Sequence, residues 1–295
     1  MNQWHALLEQ AMKNGSARPD RTGVGTWSLF GVRTEWDLAK GFPAVTTKTL
    51  AFSQMAAELA CFIRGYNSLT DFNQMGCKIW DGNAKQTTGS MFRPRFEGDL
   101  GRIYGVQWRR WRSAHHLASS NTIIMDETDQ LANLVAGLRR DPYGRRHIVS
   151  AWNPGELADM CLPPCHMFFQ CYAEDDTAMA QETFGEQPHL LTTAVYLRSL
   201  DLFLGMPFDV ASYALLTHLI ARELGWGVGR LILVAGDAHV YRNHADAVRE
   251  VLSREPLPPC RLQLADGTDL FSFMPSEARL VEYKSHGPVA APLNL

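Results

Sequence analysis

No segment of this 295-residue chain approaches the ~20 consecutive apolar residues that span a bilayer. Its first residues, from Met1 to Ala6, lack both the basic head and the apolar run of a signal peptide. Nor is there a CxxC pair among the six cysteines, Cys61, Cys77, Cys161, Cys165, Cys171 and Cys260. That is too sparse for a disulfide framework and lacks zinc-finger spacing, so no metal and a reducing cytoplasmic setting are expected. Excess charge of one sign is missing too: 28 Lys+Arg stand against 31 Asp+Glu, a net −3. The balance argues against partners held by bulk electrostatics, whether long nucleic acid or an anionic membrane. It leaves room for one small phosphorylated ligand, which needs only a local cluster of arginines. Internal repeats, low-complexity tracts and Pro/Gly-rich linkers are absent as well, which predicts one domain over residues 1–295.

What is present is an ordinary globular composition, 46% hydrophobic and 20% charged. Trp4, Leu7, Leu8 and Met12 fall on one face of an opening helix. Strand-like runs follow at Thr26–Phe30 and Arg33–Leu38, then an apolar helix over Ser53–Ile63. Residues 84–101 and 112–128 read as surface loops, and Asp129–Arg140 as a helix. Arg145–Trp152, His166–Tyr172, Thr193–Leu200 and Arg230–Val234 read as strands, and 207–224 as a buried helix. Strands and helices without strict βαβ alternation predict an α+β fold.

Several residues carry possible chemistry. Glu58 lies inside the apolar helix, where a carboxylate is costly unless paired; a structural hydrogen bond is the simplest account. Cys165 follows Pro163-Pro164 and precedes a strand, a setting that presents a thiol, although a lone cysteine is more often a small core residue. Arg21, Arg145, Arg146 and Arg198, the last followed by Ser199, would form a phosphate clamp if they converge, and surface ion pairs otherwise. Asp209, just before an apolar helix, has N-cap as its default role. His239 and Tyr241 alternate along a strand, either as polar core residues or as ligand contacts.

These segments together resemble the thymidylate synthase family over nearly the whole chain. The resemblance rests on Asp20-Arg21-Thr22-Gly23, Phe42–Lys48, Ile79-Trp80-Asp81, Tyr104–Trp108, Arg145–Asn153, Pro164-Cys165-His166, Leu197–Gly205, Pro207–Ala214 and Gly236–His244. It implies a single α+β domain with a mixed sheet and flanking helices, forming a homodimer with shared active sites. It further implies Cys165 as nucleophile, and Arg21, Arg198 and Ser199 on a nucleotide 5′-phosphate, with Arg145 and Arg146 reaching into the partner's site. His239 and Tyr241 would hold the sugar hydroxyl, Glu58 and Tyr104 would handle protons, and Asp201, Trp80 and Lys48 would face the folate. The cosubstrate implied is 5,10-methylenetetrahydrofolate. Addition of a thiolate at C6 makes pyrimidine C5 nucleophilic towards the one-carbon unit. The resulting exocyclic methylene then takes hydride, giving methyl, or water, giving hydroxymethyl.

The departures from the family pattern bear on substrate and product. Asp209 stands where thymidylate synthases usually carry Asn. Uracil offers an N3–H donor and an O4 acceptor; cytosine offers an amino donor and a bare N3, which a carboxyl sharing one proton can match. Asp209 therefore points to a cytosine nucleotide, as in the related deoxycytidylate hydroxymethylases. Gly82-Asn83 replaces Glu-Trp, and Leu197 replaces a Gln; losing aromatic bulk beside the folate would admit water and favour hydroxymethylation. dCMP is the expected substrate, with CMP open. The rivals are a 5-methylcytidylate-forming enzyme, a synthase or hydroxymethylase acting on dUMP, and a non-catalytic nucleotide- or RNA-binding homologue. The tail Gly287–Leu295 resembles the family's closing segment, and stretches 84–97 and 174–190 are insertions without an assigned role.

Overall fold

A computed structural model describes residues 2–85, 92–117, 122–175 and 189–294. The chain opens with α1 (Asn2–Asn14), whose buried residues are Trp4, Leu7, Leu8 and Ala11, and continues into β1 (Ser16–Arg18) and β2 (Thr26–Asp37). The expected break between two strands near Gly31 is absent. Gly31 adopts φ 80°, and the pairing register carries through from Phe30 to Val32, so one long strand results. Next come α2 (Phe52–Arg64), α3 (Leu69–Gln74), α4 (Asp81–Lys85) and α5 (Tyr104–Arg109).

Residues 112–128, read as a loop, instead hold an antiparallel hairpin of β3 (Trp111–Leu117) and β4 (Thr122–Thr128). Alternation gave no warning there, because β4 is exposed along nearly its whole length. Nor is the 84–101 stretch plain surface throughout: Phe92, Asp99 and Leu100 are buried. The insertion call over 174–190 falls largely on residues outside those described.

After α6 (Gln130–Arg140), capped by the Asp129 side chain on Ala132 N–H, lies β5 (Ile148–Ser150), much shorter than the predicted Arg145–Trp152. Then follow β6 (His166–Asp175), β7 (His189–Asp201), α7 (Gly205–Leu224), β8 (Gly227–Tyr241), α8 (Ala245–Leu252) and the small pair β9 (Arg261–Leu264) and β10 (Ala278–Val281).

Six strands form one sheet in the order β1-β2-β8-β7-β6-β5. Every neighbour is antiparallel except β7 and β8, which are parallel and joined by α7. A parallel pair requires such a crossover, and this one places a nearly all-apolar helix across the two strands. The sheet is therefore mixed and flanked by helices, as expected. On β6, Phe169, Cys171 and Ala173 are buried, whereas Phe168 and Tyr172 face out on the other side. That outer face also carries Ile148, and Tyr196 stacked on Phe168 at 5.7 Å.

Against α7 packs α2, and against α2 packs α5. All residues from Tyr104 to Trp108 are buried, and Gly105 is what permits the approach. A Cβ there would lie 2.4 Å from the Phe62 carbonyl oxygen and 2.5 Å from its Cα. Both are backbone atoms that cannot rotate aside. Gly105→Ala is therefore expected to destabilise the fold by ~1–3 kcal/mol, read as a lower urea midpoint. An unchanged midpoint would show that the α2–α5 contact yields freely.

Candidate active site

Cys165 precedes β6, and its backbone is fixed on three sides. Its N–H donates to the Tyr104 hydroxyl at 2.8 Å, and its carbonyl accepts from Arg198 N–H at 2.9 Å. The Arg198 side chain closes the frame, donating through Nε to the Pro164 carbonyl (2.8 Å) and through Nη2 to the Pro163 carbonyl (2.9 Å). Trp152 lies under that guanidinium at 5.4 Å. The two prolines thus do more than restrict φ: their carbonyls hold the arginine beside the thiol. Burial pushes the Cys165 thiol up, Arg198 opposes it, Asp209 adds to it, and Tyr104 and Arg21 act with Arg198. Any thiolate form of Cys165 therefore depends on Arg198 first, then on Tyr104 and Arg21.

The second group centres on His166, a residue that sequence reasoning quoted in a motif but gave no role. Asp209 and Tyr213 are four apart on α7 and so share a face. Tyr213 Oη lies 3.1 Å from His166 Nδ1, and Asp209 Oδ1 lies 3.4 Å from His166 Nε2. The imidazole stacks on Tyr104 with centroids 4.3 Å apart. Burial lowers the His166 pKa to about 3, so the ring is neutral and its contact with Asp209 is not an ion pair. Asp209 is not the helix N-cap: Leu204 holds that position, and Asp209 sits inside the first turns with its side chain 18% exposed. Its carboxyl is held well above the ordinary carboxylate range, first by burial and then by the charges of Glu58 and Asp201.

Glu58 accepts from Trp80 Nε1 at 2.8 Å, so the expected structural hydrogen bond exists. A single donor does not offset the desolvation, and the Glu58 pKa rises to about 7. A carboxyl that gains and loses its proton near neutrality suits proton transfer. Tyr104, with its hydroxyl on the Cys165 amide, feels the charges of Cys165, Asp209 and Glu58. Cys165, Tyr104, Glu58, His166 and Asp209 therefore form one cluster.

Asp20 shapes the loop that carries Arg21. Its carboxylate accepts from Thr22 N–H (3.2 Å), Thr22 Oγ1 (2.5 Å) and Gly25 N–H (2.7 Å). Gly23 and Gly25 adopt φ 77° and 78°, which the turn requires. Arg21 is exposed, yet its charge reaches Cys165 and Tyr241. Strand register sets Thr26 beside Tyr241, Ser28 beside His239, and Ser199 beside Asp237. Arg145 and Arg146 are exposed, and neither is among the charges felt by Cys165 of the same chain.

For a folate the relevant groups are Asp201, Lys48 and Trp80. Asp201 Oδ1 accepts from Phe203 and Leu204 N–H at 2.8 and 3.1 Å. Oδ2 has no hydrogen bond among the described residues, and a free carboxylate oxygen fits the N–H groups of a pterin. Lys48 is buried; its amine donates to the Phe203 carbonyl (2.6 Å) over the Phe203 ring. It thus braces the Asp201–Leu204 turn from beneath. Trp80 is buried among Phe62, Phe72 and Tyr104. The tail is seated close by: Asn294 and Asn243 exchange hydrogen bonds of 2.9 and 3.1 Å, and His244 Nε2 lies 2.8 Å from the Pro292 carbonyl.

The site thus sets a buried thiol beside the Arg198 frame, with buried carboxyl groups behind it, on a mixed α+β sheet. The family model for thymidylate synthase matches residues 2–295, and the chain belongs to that family. It is thus a one-carbon transferase that uses methylenetetrahydrofolate at C5 of a nucleotide.

Glu58 yields a stability prediction. Its pKa is raised from 4.5 to about 7, so its contribution is fully present below 4.5 and lost as pH rises through about 7. The wild-type advantage over Glu58→Gln in urea unfolding should shrink across that interval and then level off. An advantage that grows with pH would show that Glu58 is ionised in the folded protein.

Proposed function

We propose that this enzyme transfers its one-carbon unit to C5 of a cytosine nucleoside monophosphate, dCMP first and CMP second, with water completing a 5-hydroxymethyl product. The observation that carries the reading is Asp209, a buried carboxyl held well above the ordinary carboxylate range and so able to exchange one proton with a base. Oδ1 faces neutral His166, which leaves Oδ2 for a ligand. One proton shared between Oδ2 and cytosine N3, with the amino group donating to the carboxyl, satisfies both partners whichever side holds the proton. Uracil carries its own proton at N3 and so pairs only with the neutral acid; once ionised, Asp209 repels O4. Such a mismatch leaves buried groups unpaired, which is costly.

Cys165 supplies the sulfur that adds to C6, and Arg198 and Arg21 favour its thiolate while binding the phosphate. Glu58 and Tyr104 are the groups that take and return protons around C5. When bound, the folate supplies a carbon at the oxidation level of formaldehyde, and Asp201 would hold it. Asn83, half-buried on α4, offers no aromatic cover there, and the fully buried Leu197 offers no polar contact. Both support water as the final reactant.

The same reading makes the enzyme a homodimer. The outward face of Ile148, Phe168 and Tyr172 suits a second copy, and the exposed Arg145 and Arg146 suit a role in that copy's site. Mixing subunits of Cys165→Ala with subunits of Arg146→Ala should then restore up to about a quarter of wild-type turnover, since half the dimers would hold one intact site. No recovery on exchange would mean that each site is complete within one chain.

Substrate choice is tested with dCMP, CMP, dUMP and UMP, weighing each product. Asp209→Asn should lower kcat/KM for dCMP at least about a hundredfold and raise turnover of dUMP. Preference of the wild type for dUMP would overturn the assignment, and a mass gain of CH₂ instead of CH₂O would overturn the hydroxymethyl product. Release of tritium from C5-labelled nucleotide, lost in Cys165→Ala, separates an enzyme from a binding module.

A further inference from the structure

Asp237 lies in the middle of the nucleotide-facing network and has no part in the chemistry above. Its Oδ1 accepts from Ser28 Oγ at 2.8 Å and lies 3.1 Å from His239 Nδ1; its Oδ2 accepts from Arg18 Nη1 at 2.8 Å. These partners come from three places: Arg18 ends β1, Ser28 lies on β2, and His239 lies two residues further along β8. The loop bearing Arg21 is the connection between Arg18 and Ser28, so Asp237 grips it at both ends. Hydrogen bonds from His239 and Ser28 and the charge of Arg18 hold the carboxylate below its usual range against burial, the bond from His239 weighing most.

A carboxylate only accepts, so the proton between Asp237 and His239 belongs to Nδ1. In the neutral ring that makes Nε2 an acceptor, and among the described residues Nε2 has no hydrogen bond of its own. His239 is 8% exposed, and its ring meets Tyr241 edge-on at 5.1 Å, so it has little freedom to reorient. We propose that Asp237 is a positioning residue that fixes His239 as the Nδ1–H tautomer, so that Nε2 accepts a hydrogen bond from a nucleotide sugar hydroxyl. It also ties that acceptor to the loop carrying Arg21. The sugar hydroxyl and the phosphate are thereby read by groups hinged on one carboxylate. This inference rests on the reading of His239 as a sugar contact.

The first measurement uses the nucleotide-free protein. Ring-¹⁵N correlation spectra, with the His239 signal identified by its loss in His239→Gln, should show Nδ1 protonated and Nε2 bare. Asp237→Ala should shift the ring towards the Nε2–H form that imidazole favours in water. Asp237→Asn, whose amide oxygen still accepts from Nδ1, should keep the original tautomer and also guards against a misfolded alanine variant. A ring that is Nε2–H in the wild type, or unchanged in Asp237→Ala, overturns the proposal.

The second measurement compares Kd for dCMP and its 2′,3′-dideoxy counterpart. Asp237→Ala should weaken dCMP about tenfold more than it weakens the dideoxy analogue, whose own loss reports only the Arg21 loop, and Asp237→Asn should recover part of that difference. Equal weakening of both would reduce Asp237 to a brace for the Arg21 loop and overturn the tautomer's role. If the wild type binds both nucleotides equally well while the tautomer behaves as described, the sugar reading of His239 fails and the positioning by Asp237 stands.

Discussion

Taking carboxyl groups out of water is the constraint on which this site depends. Glu58 and Asp201 both bear on Asp209, and Glu58 and Asp209 have too few donors to stay ionised cheaply once buried. Each consequence follows from that cost. Glu58 keeps its proton into the neutral range, Asp209 is held well above the ordinary carboxylate range, and His166 gives its proton up. The same apolar packing that makes α2 and α7 a core therefore also sets the protonation of the groups they carry.

The arginine beside the thiol answers a different need. A guanidinium left mobile would lose its directionality, and here two proline carbonyls hold it. Because proline lacks an N–H, those carbonyls belong to a segment that cannot join a sheet ladder through its own donors. They are free to serve Arg198. A short irregular stretch before β6 thus does for Arg198 what helix packing does for Glu58 and Asp209.

The regular framework was readable from local pattern wherever one side of an element is buried. The faces of α1 and α6, the apolar α2 and α7, and the cores of β6 and β7 all follow from the spacing of their apolar residues. Pattern failed where burial gives no contrast. Hairpin β3–β4 is exposed and so shows no alternation, and at Gly31 a residue with turn-like character lies within a continuous strand. Cys165, Glu58 and Asp209 stood out because their residue types conflict with their neighbours. His166 and Tyr213 did not, since an aromatic in an apolar strand or helix is ordinary, and only their convergence on Asp209 reveals a use. Asp237 was hidden because two of its three partners, Arg18 and Ser28, are distant in sequence.

The crossover from β7 through α7 to β8 has a consequence beyond geometry. Arg198, Ser199, Asp201, Asp209, His239 and Tyr241 all lie on that one continuous stretch, whereas the attacking sulfur lies upstream of it and Glu58 far earlier. The groups proposed to read the nucleotide thus lie largely apart in the chain from those proposed to react with it. A single recombination spanning residues 197–241 would carry Arg198, Ser199, Asp209, His239 and Tyr241 together into a relative, while Arg21, Arg145 and Arg146 would come from the recipient. The recipient would keep its own nucleophile. New substrate preferences can spread through such a lineage by exchange of a cassette, without reinventing the chemistry each time.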